Sequence, residues 1–205
     1  MNFSAADARL FVEVFVTLFV IMDPPGTIPI FLSLTSGRSP RTRHRMARQA
    51  VVVAFVVIVV FALFGREILD YLHITLPAMQ AAGGLLLLLV ALELLTGKAD
   101  EPTAASNVNV ALVPLGTPLL AGPGAIVATM VFVQRVNDLG GAVALAAGIV
   151  AVHIVLWLFM RYSVVIIRVI KDSGVTLVTR IAGLLLSAIA VQLVADAVVA
   201  FIDQA

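Results

Sequence analysis

The sequence predicts an all-α membrane protein with six transmembrane spans, built as a 3+3 inverted repeat with broken helices in spans one and four. Three observations carry this fold class. Of 205 residues, 61% are hydrophobic and only 12% charged, where a soluble domain is about 45–50% apolar and about 25% charged. Several apolar runs reach the roughly 20 helical residues that a bilayer crossing takes. The two halves of the chain also echo each other at a nearly constant offset. Apolar residues run continuously instead of alternating, and barrel strands would be half as long, so a β reading fails.

The composition also excludes function classes. With no cysteine, disulfides, iron–sulfur clusters and thiol chemistry are ruled out. The formal net charge is +1, with no basic stripe interleaved with aromatics, so no nucleic-acid partner is expected. His44, His73 and His153 show no metal-ligand spacing. No Gly-x-Ser-x-Gly and no intramembrane carboxylate pair occurs either, so neither an enzyme nor a cofactor is expected.

The spans are expected at about 9–34, 48–70, 75–97, 108–134, 140–162 and 180–202. Together they form one transmembrane domain over residues 1–205, with repeat A at about 8–97 and repeat B at about 108–202. Residues 1–22 are not followed by a small-residue cleavage site, and the stretch is read as a first span, not a removable signal. Pro40 is read as a breaker ahead of span two, and span three, with its Leu85–Leu89 run, is the plainest. Two readings stand for Met160–Lys171: an interfacial helix following span five, or a long, tilted span five.

Orientation follows from the cations. Arg38, Arg41, Arg43, Arg45, Arg48, Lys98, Arg161, Arg168, Lys171 and Arg180 fall on one side, leaving Arg9, Arg66 and Arg135 for the other. The positive-inside rule puts loops one, three and five in the cytoplasm and both termini outside.

The repeat aligns Pro24-Pro25-Gly26 in span one with Gly122-Pro123-Gly124 in span four, 98 residues on. It also aligns Gly84-Leu85-Leu86-Leu87 with Gly183-Leu184-Leu185-Leu186, 99 residues on. Three spans per half force the second half to enter from the opposite face, as in many secondary transporters. Both breaks lie about thirteen residues into their spans, near the midplane. Proline removes a donor and clashes with the preceding turn, and glycine lets the chain leave helical geometry. A half-helix restarting after each break would point its first N–H groups at a cavity and hold an anion without a basic side chain. Candidate binding residues are therefore Asp23, Pro24, Pro25, Gly26 and Thr27 in span one, and Thr117, Gly122, Pro123 and Gly124 in span four.

Three roles are open for Asp23: holding a substrate ammonium group, carrying a coupling proton, or capping the second half-helix. Glu93 and Gln192 occupy matching repeat positions, and Glu93 lies near enough to its span end to snorkel to water. Glu13 and Asp196 are expected near the outer interface. His153 either relays protons or hydrogen-bonds a neighbouring helix. Asn107 and Asn109 would cap span four or reach the cavity. The Gly83-Gly84 and Gly140-Gly141 pairs would allow close helix packing in a homodimer.

At these residues the chain resembles a known family. Asp23-Pro24-Pro25-Gly26-Thr27-Ile28-Pro29-Ile30-Phe31, Asn109-Val110-Ala111-Leu112-Val113-Pro114-Leu115 and Ala121-Gly122-Pro123-Gly124-Ala125-Ile126 are similar to the MarC membrane proteins. So are Gly83-Gly84 and Arg180-Ile181-Ala182-Gly183, and the likeness covers nearly the whole chain. The resemblance implies a six-span inner-membrane protein, in a family that includes transporters of small neutral amino acids such as glycine and alanine. The prolines and glycines of the breaks leave little space for a large side chain, which favours glycine, alanine or serine as substrate, and a proton or sodium ion is the expected coupling ion. Many members carry Asn where this chain has Asp23, and Arg where it has Gln80. The alternative is a transporter or flippase of another small or lipid-linked anionic solute, because half-helix ends also bind phosphate.

Overall fold

The computed structural model describes residues 4–96 and 120–203, which are almost entirely helical, with no strand among them. Helix α1 spans Ala5–Met22 and α2 spans Pro24–Leu34. Ser4 opens α1 with a reciprocal cap: the Asp7 N–H donates to Ser4 Oγ at 3.2 Å and the Ser4 N–H to Asp7 Oδ2 at 2.8 Å. The helix stops where the sequence demands. Pro24 and Pro25 have no N–H to continue the ladder, and a residue before proline is steered out of the α region. Asp23 accordingly takes φ 41°, ψ 67°, and α2 restarts with both prolines in its first turn.

Helix α3 spans Pro40–Tyr71, longer than the 48–70 expected. Pro40 starts the helix instead of breaking the chain ahead of it. Ser39 Oγ accepts from the Thr42 N–H at 3.3 Å and Pro40 takes the first helical position, where a missing N–H costs nothing. The arginines that follow are good helix formers, so they ride on the helix and the first loop shrinks to a short turn. Helix α4 spans Leu76–Thr96, α5 Pro123–Gln134 and α6 Leu139–Arg161. Helix α7 spans Ser163–Asp203, interrupted at Lys171 (φ 60°, ψ 168°). Since α6 ends at Arg161 with Tyr162 as its C-cap, the stretch after it is a helix of its own and not a tilted continuation of span five.

Among the described residues, four helices are long and apolar enough to cross a membrane: α3, α4, α6 and the Ser173–Asp203 part of α7. Helices α2 and α5 have 11 and 12 residues, which at 1.5 Å per residue is roughly half a hydrocarbon core. The main core joins α1, α2, α3, α5 and α6 through residues such as Leu18, Phe31, Ala50, Ala54, Ala128 and Leu156. A second core joins α4 and α7 through Leu87, Ala91, Leu186, Ala190 and Leu193, with Val20 of α1 against it.

Helices α4 and α7 cross antiparallel, and their contacts are reciprocal. A Cβ on Gly84 would lie 2.7 Å from Val194 Cγ2 and 2.8 Å from the Ala190 carbonyl oxygen. A Cβ on Gly183 would lie 3.2 Å from Leu95 Cγ and 3.3 Å from the Ala91 carbonyl oxygen. Shifting Gly84, Ala190 and Val194 by the same 99 positions, in opposite senses, yields Gly183, Ala91 and Leu95. The glycine pairs expected at a homodimer face serve packing within the chain: Gly83 on Val127, Gly84 on α7, Gly140 on Asp7.

Candidate functional site

The joint between α1 and α2 carries a buried acid. Asp23 is buried, its N–H donates to the Phe19 carbonyl at 3.0 Å, and its own carbonyl accepts from the Thr27 N–H at 3.0 Å. Its side chain makes no capping hydrogen bond, so of the three expected roles the capping of α2 falls to the Asp23 carbonyl, not the carboxylate. Both carboxylate oxygens are out of reach of solvent and without a well-formed hydrogen bond. They lie over Gly26, close enough that a Cβ there would overlap the carboxyl group.

The first turn of α2 offers few donors. Pro24 and Pro25 carry no N–H, and the Thr27 amide is committed to Asp23, which leaves the Gly26 N–H. The Thr27 hydroxyl donates to the Pro24 carbonyl at 2.8 Å inside the same turn. The end of α2 therefore presents one backbone donor beside a carboxylate, where the sequence suggested a donor-rich anion cradle.

A residue that the sequence did not single out completes this corner. Thr179 of α7 brings its hydroxyl to the same point, 3.1 Å from where a Gly26 Cβ would stand, and that oxygen is buried without a partner. Its only sequence signal is that it occupies the repeat position of Gln80, itself buried in α4. Buried polar atoms normally have partners, and here the Asp23 carboxylate and the Thr179 hydroxyl come together over Gly26 without one.

At the second break, Gly122 is the N-cap of α5 with φ −63°, ψ 167°, and Pro123 takes the first helical position. The Ala125 and Ile126 amides both reach the Gly122 carbonyl, at 3.0 and 3.2 Å, leaving the Gly124 N–H as that turn's remaining donor. Gly124 is pressed against the Leu87 side chain of α4, so this end is apolar where the α2 end is acidic. The structure gathers Asp23, Pro24, Pro25, Gly26 and Thr27 at one joint and Gly122, Pro123 and Gly124 at another. Thr117, with Asn107 and Asn109, lies outside the described residues.

The remaining polar residues fall away from the two breaks. Glu13 and Asp196, expected separately near one interface, line a single cavity of about 360 Å³ with Arg135 and Gln192. Arg135 Nη1 stands 3.7 Å from Glu13 Oε2, and Gln192 Nε2 donates to Asp196 Oδ1 at 2.6 Å. Glu93 is exposed, in keeping with snorkelling. His153 is buried, with Nδ1 2.7 Å from the Ile149 carbonyl and its ring edge-on to Phe55 at 5.2 Å. It thus bonds its own helix, not a neighbouring one.

The model of the MarC family integral membrane protein matches residues 8–202. A UPF0056 membrane protein of Aquifex aeolicus is 39% identical over 195 residues, covering 91% of each chain. One of Methanocaldococcus jannaschii is 35% identical over 199 residues, covering 94% of this chain and 97% of its own. The Bacillus subtilis protein YvbG is 31% identical over 192 residues, covering 89% and 91%. No solved structure matches.

Proposed function

The chain belongs to the MarC family of integral membrane proteins, and from that premise we propose that it is a secondary active transporter of small neutral amino acids. The observation that carries the reading is the cluster of unpaired buried oxygens, from Asp23 and Thr179, over Gly26 at a helix break. A carboxylate held within the membrane costs several kcal/mol unless protonated, paired or hydrated. A substrate ammonium group or a coupling ion would supply the missing partner. The Gly124 amide at the opposite break, with no acid beside it, suits the substrate carboxylate. The prolines and glycines at the breaks favour a small side chain, that of glycine, alanine or serine.

The 3+3 inverted repeat belongs to the same proposal. It draws support from the reciprocal antiparallel contacts of α4 and α7. Helices α2 and α3 also begin 99 residues before α5 and α6 respectively. Localisation to the inner membrane with both termini outside rests on the arginine distribution. Transport of a lipid-linked anion instead would call for an arginine within the breaks, and neither Asp23–Thr27 nor Gly122–Gly124 contains one.

The test is uptake of labelled glycine and alanine into proteoliposomes, with and without an imposed proton or sodium gradient. Gradient-driven accumulation by the wild type, lost in Asp23→Asn, is expected. No accumulation under any gradient direction would remove the amino-acid reading.

A further inference from the structure

Helices α3 and α6 face each other with two stripes that change chemistry at the same height. On α3, Arg41, Arg45 and Arg48 follow at helical spacing and are continued by Val52 and Phe55. On α6 the order is reversed, Val150 and Ile154 leading through Trp157 to Arg161. The antiparallel pairing thus makes one continuous cleft. Its basic end is a cavity of about 560 Å³ lined by the four arginines, His44 and Trp157. Its apolar end, about 330 Å³, shares Arg48 and Trp157 and is walled by Val52, Phe55, Val150 and Ile154.

We propose that this cleft binds one anionic phospholipid, with the phosphate among Arg41, Arg45, Arg48 and Arg161 and an acyl chain along the apolar wall. Three observations select that occupant. The four guanidiniums form no ion pair among the described residues, so their charge is uncompensated within the protein. Arg161 is held over the Trp157 ring at 5.7 Å and the Tyr162 ring at 5.8 Å, and stacking orients a guanidinium while leaving its donor edge free. The apolar wall is open, with Val52, Val150 and Ile154 more than 40% exposed on membrane-spanning helices. A free phosphate or a nucleic acid would leave that wall unfilled, whereas a lipid satisfies both ends. Basic pockets at the cytoplasmic ends of spans recruit anionic headgroups by this charge pairing. The cleft shares no lining residue with the helix breaks, and the proposal does not depend on the transport reading.

Trp157 is the chain's only tryptophan and lies at the junction of the two ends, so its fluorescence reports the site. The full chain is reconstituted in vesicles containing phosphatidylglycerol or phosphatidylcholine brominated on the acyl chain, and Trp157 quenching is titrated for each. The expected result is a preference of roughly fivefold or more for phosphatidylglycerol, abolished in Arg41→Gln/Arg45→Gln. Both side chains are exposed and unpaired, so the variant should fold, as circular dichroism would verify. Arg135→Gln, at the other face, should keep the preference. Equal quenching by the two lipids, or a preference that survives the double variant, overturns the proposal. A preference erased by millimolar inorganic phosphate would reassign the basic end to a free anion.

Discussion

Asp23 is a buried acid with no ion pair and no well-formed hydrogen bond to its carboxylate, and that makes sharp expectations at the residue scale. Asp23→Asn keeps the shape and removes the charge. Transport should fall by about tenfold or more if the carboxylate acts only in the loaded state, while thermal stability in detergent should hold or rise. Relief of an unpaired buried charge is the reason for the second half. A variant that transports normally would leave Asp23 a bystander. Gly26→Ala adds a methyl where the carboxylate already stands, and overpacking of this kind costs about 1–3 kcal/mol. The double change Gly26→Ala/Asp23→Ala should recover most of the lost melting temperature, since it removes the collision. Asp23 was legible from the sequence because a charged residue before two prolines in an apolar run has few places to go. Thr179 was not, because 156 residues separate it from Asp23 and nothing local marks which threonine of α7 faces the joint.

Among the elements, the α4–α7 pair is the one that single substitutions probe most directly. Both helices bring a glycine to the crossing, Gly84 and Gly183, and each meets backbone carbonyl oxygen of the partner. Gly84→Val and Gly183→Val should each lower stability by about 1–3 kcal/mol, with Gly84 the worse because its neighbours stand closer. Thermal unfolding of the purified chain in detergent measures both, and wild-type melting for Gly84→Val would mean that this crossing is looser than described. The break at Asp23 and the helix start at Pro123 were legible, since the missing N–H of proline is covalent and holds in any surroundings. Pro40 was misread by the same rule. Proline ends a helix that reaches it but starts one that follows a good cap, and Ser39 makes the difference. The donor-rich ends expected of α2 and α5 failed for a related reason: the prolines that start each half-helix also strip it of amides.

For the whole molecule, the arginine asymmetry translates into a topology that chemistry can read. The chain has no cysteine, so the wild type is already the blank background for single-cysteine labelling. Cysteine at Arg38 or Lys171 should react with an impermeant maleimide only after the inner face is opened. Cysteine at His73 or Asn137 should react in intact cells. All four positions are exposed, so protection by packing would not confuse the readout. The reverse pattern would invert the orientation, and labelling of all four from one side would end the proposed inverted repeat. It would not touch the basic cleft, whose residues share one end of α3 and α6 in either orientation.

Membrane residence and the interruption between α1 and α2 were legible in the sequence alone, because each depends on backbone chemistry or on transfer from water, and neither needs a neighbour. Hydropathy sums along a run, and proline carries its constraint with it. The tertiary structure alone decided that Thr179 joins Asp23, that Glu13 shares a cavity with Asp196, and that four arginines meet around one tryptophan. Those pairings depend on the rotation of each helix about its axis and on where helices cross. In an apolar helix with large residues on every side, no stripe in the sequence specifies that rotation; it is settled only when glycines and bulky side chains interlock.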